Sequence, residues 1–426
     1  KVQMHDITQT VEAKLAALHK MSNNYSVSED QRRKELQAGV EGIMADLEAV
    51  TPSKEVGVSH ALLLYWRGQA LETQHATYVQ EAELLLAKSV KLEPWRVQAW
   101  NALGNVFWKK NDKRAAKNCF VAAVNQAKGQ DSASLRNLSM ILRSLADNRQ
   151  GKEHATNVEE SVNRAKQAIA LDVKSADNWF VMGNAYLSQC FSLGTHDPKL
   201  LNSAFKAYLR SEELQGSSLN PDLYYNKGNI HKYNEEYMEA LKCYTMASRL
   251  DPTLQCKKEI EQIPRLVAKL ASLIANKNGL KAKKLDQLAE HLRTSMKKMK
   301  DTTTAVSLSE LQEGGNKDKA LMLKIIAPVH KDTDTPVSVL GLDSQSDMFV
   351  VSIYNVAPAY LDQLKLFSTM TVFDPHLRNI AVETAGGGKV SYMCVRTSNP
   401  ASVFVDGQPT QQGVCAPAMA ANETKV

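Results

Sequence analysis

Through the first two thirds of the chain, apolar and small side chains return on a long period. In the stretch Tyr224–Pro252 they fall at Tyr224, Gly228, Ala240, Tyr244, Ala247 and Pro252. With Tyr224 set as position 4 of a unit, the others take positions 8, 20, 24, 27 and 32. Trp100, Leu103, Gly104, Phe107, Ala116, Phe120 and Ala123 fit the same frame. So do Trp179, Gly183 and Tyr186, continued after an insertion by Ala204, Tyr208 and Ser211. Gly68, Ala82, Leu86, Ser89 and Pro94 make an earlier unit, and a weaker one starts near Leu135 with Ser139 in the glycine position. Each unit predicts two helices joined by a short turn, with small residues at positions 8, 20 and 27 letting the pair approach closely. A mid-helix glycine costs about 1 kcal/mol against alanine, so Gly104, Gly183 and Gly228 trade helix propensity for packing. Residues 6–50 read as a preceding helix pair, with apolar spacing at Val11, Leu15 and Leu18. Ile260–Ala275 reads as a closing helix with Pro264 in its first turn, where proline is tolerated.

The pattern changes near Thr302. Residues 301–319 are polar, contain Gly314-Gly315 and read as a linker. Strand-like runs follow at Ala320–Ala327, Val337–Gly341, Asp347–Tyr354, Phe367–Phe373, Lys389–Arg396 and Ser402–Val405, separated by turn residues. They predict a small β-barrel of the OB type, with Leu361–Leu366 as a helix that plugs it. "AGGGK" (Ala385–Lys389) lacks the spacing, the hydroxyl residue and the following helix of a phosphate loop, and reads as a glycine turn.

The helical period of about 34 residues is that of the tetratricopeptide repeat, whose units bury their faces only against neighbours and stack into an α-solenoid with a concave groove. The fold class is therefore mainly α: a tetratricopeptide α-solenoid followed by a small C-terminal β-barrel. The expected divisions are N-terminal helices (1–55), repeats with the closing helix (56–277), a basic segment and linker (278–319), the barrel (320–408) and a disordered tail (409–426). On this division a chain ending near Lys300 should stay folded. Positions 2, 5, 9 and 12 of each first helix face the groove, which places Asn105, Arg136, Arg143, Asp177, Asn184, Asp222, Tyr225 and Asn229 there. Asparagine amides can bond an extended peptide backbone whatever its sequence. Asp177 and Asp222 suit a basic side chain or an α-amino group, while Arg136 and Arg143, seven residues apart on one helical face, suit a carboxylate. A chaperone-tail clamp would share the position-9 asparagine but needs lysine at position 5, where this chain has Asn101, Phe180 and Tyr225.

Composition narrows the classes. Apolar content of 43% supports real cores, and no apolar run approaches the roughly 20 residues of a membrane span. Six scattered cysteines, without zinc spacing, favour a reducing compartment over a disulfide framework. The ten histidines form no ligand or catalytic motif, so neither a metal, a cofactor nor an enzyme is expected. Net charge is +6, but twelve Lys/Arg against four Asp/Glu lie between Cys256 and Lys300, which leaves the rest of the chain slightly negative. Lys281, Lys283 and Lys284 head that run, as a solvated face or as a patch for RNA phosphate. In the barrel, Tyr354, Tyr360 and Phe373 are the few aromatics on which single-stranded nucleic acid could stack.

The order of repeats, closing helix, basic segment and barrel resembles the tetratricopeptide repeat protein 5 (Strap) family over nearly the whole chain. The resemblance is carried by "AKSVKLEP", "AWNALGNVFWKK", "NLSMILRSL", "GNAYLS", "NPDLYYNKGNIHKY" and "KAKKL". It implies an adaptor that recognises the N-terminal Met-Arg-Glu of nascent tubulin at the ribosome and triggers tubulin mRNA decay. The alternative it implies is a stress-responsive nuclear coactivator scaffolding a histone acetyltransferase and DNA. Cytoplasm and nucleus are the implied locations. By the same resemblance Arg143 and Asp222 match peptide-contacting positions, and Lys281 and Lys283 match ribosome-contacting lysines. Where the family carries a peptide-contacting glutamate after its final "LDP", this chain has Thr253-Leu254-Gln255-Cys256, and Glu259 is the nearest acid.

Overall fold

The computed structural model describes residues 2–25, 27–48, 50, 58–146, 152–192, 198–216, 219–297, 304–329, 336–356, 360, 364–383 and 388–410. Two compact units make up the chain: residues 1–189 with 198–223, and residues 190–197 with 224–426.

The first unit is helical. Its antiparallel pairs are α1 (Val2–Ser22) with α2 (Glu29–Glu48), α3 (His60–Gln74) with α4 (Gln80–Leu92), α5 (Val97–Lys109) with α6 (Lys113–Gln126), and α7 (Ser132–Ala146) with α8 (Lys152–Leu171). α9 (Ala176–Ser192) and α10 (Pro198–Leu214) follow, α9 running three residues into the second unit. Ends are set by local caps: Asp112 accepts from the Ala115 amide, and Asp131 from the Ser134 amide. The helix pairs close as the small positions predict. A Cβ added at Gly104 would stand 2.4 Å from the Phe120 ring, and one at Gly183 would stand 2.4 Å from that of Tyr208. Where the frame has Ser139 instead, Ser139 Oγ donates to Ser161 O at 2.8 Å and Ser161 Oγ returns a bond to Ser139 O at 2.9 Å. This reciprocal pair satisfies both buried hydroxyls in a repeat whose sequence signature is weak.

The second unit holds most of α11 (Pro221–Tyr233), then α12 (Tyr237–Leu250), α13 (Cys256–Ala275), α14 (Ala282–Met296) and the sheet. α13 begins at Cys256, so Pro264 lies in the helix interior and not in the first turn. There it removes one i→i−4 hydrogen bond, while Ile263, Val267 and Leu270 still bury one stripe.

The strands are β1 (Thr304–Val306), β2 (Gly314–Gly315), β3 (Lys319–Pro328), β4 (Val337–Leu342), β5 (Met348–Ile353), β6 (Thr369–Phe373), β7 (His376–Glu383), β8 (Lys389–Thr397), β9 (Val403–Val405) and β10 (Gln408–Pro409). They pair in the order β10-β9-β6-β3-β4-β5-β8-β7-β2, with β1 parallel to β3. β6 and β7 are separated only by Asp374 and Pro375, so the path from β6 through to β7 returns to its starting place in the chain. The sheet is thereby curled into a barrel whose seam is covalent. Leu321, Leu323, Ile325, Val339, Phe349, Val351, Ile353, Met370 and Val372 fill the interior at alternate positions.

Several expectations change here. Residues 304–315, read as linker, supply β1, β2 and a 3-10 turn whose Ser307–Glu310 capping box satisfies its own backbone. β7 was not predicted; the polar His376, Arg378 and Asn379 break the apolar run. β3, β4 and β5 are buried along nearly their whole length, with α13 packed on β5, β7 and β8 and α14 on β3. By compactness the chain divides near residue 223, and the second unit holds α12, α13 and α14 together with the sheet. Residues 361–363, 384–387 and 411–426, which include parts of the expected plug helix, the glycine turn and the tail, lie outside the described residues.

Candidate functional site

The predicted groove residues fall in both units. In the first, Asn105 on α5 is half-buried, and its repeat has Phe120 at position 24, which offers no hydroxyl. Asn101, one turn earlier, is committed to structure: its Nδ2 donates to Ser134 Oγ at 2.8 Å and its Oδ1 accepts from Asn137 at 3.3 Å. Arg136 and Asp177, expected to take ligand groups of opposite sign, pair with each other at 3.5 Å. Asp177 keeps 63% of its side chain exposed, so the pair is a weak, exchangeable one. Arg143 is half-buried in the last turn of α7 and makes no ion pair among the described residues. Asn184 Oδ1 accepts from Tyr208 OH at 2.5 Å. Asp222 sits half-buried in the first turn of α11, its amide held by Asn220 Oδ1 at 2.9 Å.

In the second unit, Tyr225 is buried, its ring 5.8 Å from that of Tyr244. Asn229 Oδ1 accepts from Tyr244 OH at 2.8 Å. Burial pushes the Tyr244 phenol far above its ordinary value, with Glu259 adding to the effect, so the group stays a hydrogen-bond donor. Glu259 pairs with Lys232 at 2.8 Å with only 18% of its side chain exposed. Its charge is therefore partnered within the protein. The tyrosine–asparagine bonds were not anticipated, although position 24 tyrosine beside position 9 asparagine is visible in both repeats.

The sharpest geometry in this unit lies where the α11–α12 turn meets the barrel. Glu235, 4% exposed, accepts from Ser352 Oγ at 2.7 Å and from Tyr354 OH at 3.0 Å. Tyr354 OH also lies 2.8 Å from Tyr233 O. Arg378 and Arg396 donate to Asn234 O at 2.7 and 3.3 Å, and the Arg396 guanidinium stands 4.0 Å from the centre of the Tyr354 ring. The outer face of the second and third barrel strands is the surface with which OB folds commonly bind oligonucleotides. Here those strands are β4 and β5, and the turn occupies β5. The proposed stacking residues are accordingly not available: Tyr354 and Tyr360 are 1% and 4% exposed, and Phe373 packs edge-on against Phe404 at 5.3 Å.

The basic segment behaves differently. Lys281 caps α14 without a side-chain bond, and Lys281 and Lys283 are exposed. Lys284 lies over the Phe367 ring at 4.7 Å, which ties the start of α14 to the barrel. Among the described residues no His/Cys/Asp/Glu group could hold a metal, the five cysteines form no disulfide, and no helix is long and apolar enough to cross a membrane.

Three family models match: "Tetratricopeptide repeat protein 5 OB fold domain" over residues 302–419, and tetratricopeptide repeats over 221–254 and 97–128. Tetratricopeptide repeat protein 5 of Mus musculus is 34% identical over 393 residues, covering 89% of this chain and 87% of that protein. Its Homo sapiens counterpart is 33% identical with the same coverage. Among solved structures, one of Pseudomonas aeruginosa pilF is 12% identical, covers 59% of this chain and 99% of that one, and superposes with a TM-score of 0.40.

Proposed function

The chain belongs to the tetratricopeptide repeat protein 5 family, an architecture of protein-interaction adaptors, and from that membership we propose that it binds the nascent tubulin N-terminus at the ribosome and so triggers tubulin mRNA decay. Arg143 carries this reading. A half-buried guanidinium with no ion pair among the described residues is poised for an anion from outside, and the glutamate of Met-Arg-Glu supplies one. Asp222 is the acid for the peptide's arginine or amino group, and Asn105, Asn184 and Asn229 address its backbone. Arg136 and Asp177 serve after exchanging their mutual ion pair for ligand groups. Tyr225 contributes as a wall of the site, and Glu259, neutralised by Lys232, does not replace the glutamate missing near Cys256. Lys281, Lys283 and Lys284 form the contact with ribosomal RNA phosphate. The site uses no cofactor and performs no catalysis.

The coactivator alternative asks the barrel to meet DNA. The covered face of β5 favours the peptide reading over it.

Titration of the full-length protein with Met-Arg-Glu-Ile and Met-Ala-Glu-Ile tests the proposal. The first should bind at least tenfold tighter. Arg143→Ala removes a charge-assisted hydrogen bond worth about 1.5–3 kcal/mol, so affinity should fall roughly 10- to 100-fold. Lys281→Glu with Lys283→Glu should leave peptide affinity unchanged while weakening cosedimentation with ribosomes and flattening its salt dependence. Equal binding of the two peptides would refute the reading.

A further inference from the structure

The glycine–asparagine pairs of the repeats do two coupled things. In repeat 221–254, the missing Cβ at Gly228 lets the Tyr244 ring lie against α11; a Cβ there would stand 2.7 Å from Tyr244 Cε1. That approach carries the phenol one residue further, where its hydroxyl donates to Asn229 Oδ1 at 2.8 Å. The same arrangement recurs at Gly183, Tyr208 and Asn184. It is absent where position 24 is Phe120.

A primary amide is planar, with its oxygen and nitrogen on opposite arms. Fixing Asn229 Oδ1 on the Tyr244 hydroxyl turns the Nδ2 arm the other way. That nitrogen makes no hydrogen bond among the described residues and is not among the buried polar atoms lacking a partner. It is therefore at least partly accessible and keeps its N–H groups to donate. An unanchored asparagine can rotate to offer either a donor or an acceptor; an anchored one has the donor fixed on the arm away from the tyrosine. Burial keeps the Tyr244 phenol protonated, so the anchor does not reverse.

We propose that Tyr244 is a positioning residue for the peptide site: it locks Asn229 as a hydrogen-bond donor, so the ligand must present an acceptor, a backbone carbonyl, to repeat 221–254. This rests on the peptide reading above and adds a polarity to it. The carbonyl of an extended peptide meets the requirement irrespective of side chain, which lets Asn229 hold the chain in place while charged residues read its sequence.

The test uses full-length protein and the peptide Met-Arg-Glu-Ile, with side-chain amide resonances of isotope-labelled protein as a second readout. Tyr244→Phe keeps the ring on Gly228 and removes only the hydroxyl. It should shift the Asn229 amide signals, leave the melting temperature within a degree or two and weaken binding about fivefold, the equivalent of one neutral hydrogen bond. Asn229→Asp still accepts from Tyr244 but presents oxygen outward, so it should weaken binding more than Tyr244→Phe does. Phe120→Tyr should give Asn105 amide signals resembling those of Asn229. Unchanged amide signals in Tyr244→Phe, or Asn229→Asp binding as well as wild type, would overturn the proposal. A loss of affinity matched by a large fall in melting temperature would also overturn it, since the hydroxyl would then be structural. Failure of wild type to bind the peptide would sink the peptide reading and the donor role with it, while the amide signals would still decide whether the tyrosine anchors the asparagine.

Discussion

Repeats 97–128 and 221–254 match the same family description and turn between their helices with the same backbone. In one, Asn111 takes φ 63° and Asp112 N bonds Phe107 O; in the other, Glu235 takes φ 59° and Glu236 N bonds His231 O. The chemistry at these equivalent places is opposite. Asn111 is a residue that tolerates the left-handed region well, and Asp112 caps the next helix with its side chain. Glu235 is poorly suited to that region, and Glu236 makes no cap. A turn exposed to water has to be stabilised by its own residues. A turn seated on another surface can depart from local preference, because Ser352, Tyr354, Arg378 and Arg396 supply what the local sequence does not.

Several experiments would break or sharpen that contrast. Ending the chain near Lys300 should have the largest effect. It uncovers the barrel-facing sides of α12, α13 and the α11–α12 turn, so amide exchange protection should collapse across residues 224–275 and persist across 97–128. Persistence in both would show that the last repeat does not need the barrel. Glu235→Ala comes next. It removes the charged acceptor from two buried hydroxyls, which keep only their weaker partners, at a cost of about 2 kcal/mol, and protection of α11 and α12 should fall accordingly; in combination with Ser352→Ala the losses should be markedly less than additive. Asp112→Ala removes a cap worth about 1 kcal/mol, and its effect on exchange should stay within α6.

A pH effect is smaller. The hydrogen bond from His231 at 2.7 Å, and then Arg378, hold the Glu236 carboxyl below its ordinary 4.5. A carboxyl depressed in the folded state contributes stability above its unfolded pKa and loses it as pH falls through the folded value. Melting temperature should therefore drop on acidification below pH 4.5 less steeply in Glu236→Gln than in wild type. The effect is modest because the side chain is 34% exposed. Asn111→Gly should be the mildest change, within about 0.5 kcal/mol, since glycine adopts that backbone freely.

The sequence made the repeats legible because their information is local. Gly104 and Phe120, or Gly228 and Tyr244, are sixteen residues apart in one frame, and the frame repeats. Six of the strands were also readable as strand-like runs separated by turn residues. What escaped was set by distant partners. Glu235 looks like an ordinary surface residue of a turn, and only Ser352, 117 residues later, reveals it as buried. Thr304–Val306 looks like linker until it lies in register with Lys319–Leu321. At the candidate site, residue type and groove position were readable, but pairing was not. Nothing in the sequence tells that Arg136 meets Asp177, that Lys232 meets Glu259, or that Arg143 meets neither acid.

The seat of Glu235 on β5 also bears on how such a chain changes over generations. Losing the carboxylate alone leaves the hydroxyls of Ser352 and Tyr354 without that partner in a buried interface, and losing either hydroxyl leaves the carboxylate underserved. Each single step is penalised, whereas replacement of all three by apolar residues of similar volume removes the mutually dependent groups together and costs less than the single steps suggest. The three positions, scattered across helix turn and barrel, should therefore behave as one heritable character. Among relatives they should be kept together or lost together, while the exposed turn at Asn111 drifts one residue at a time.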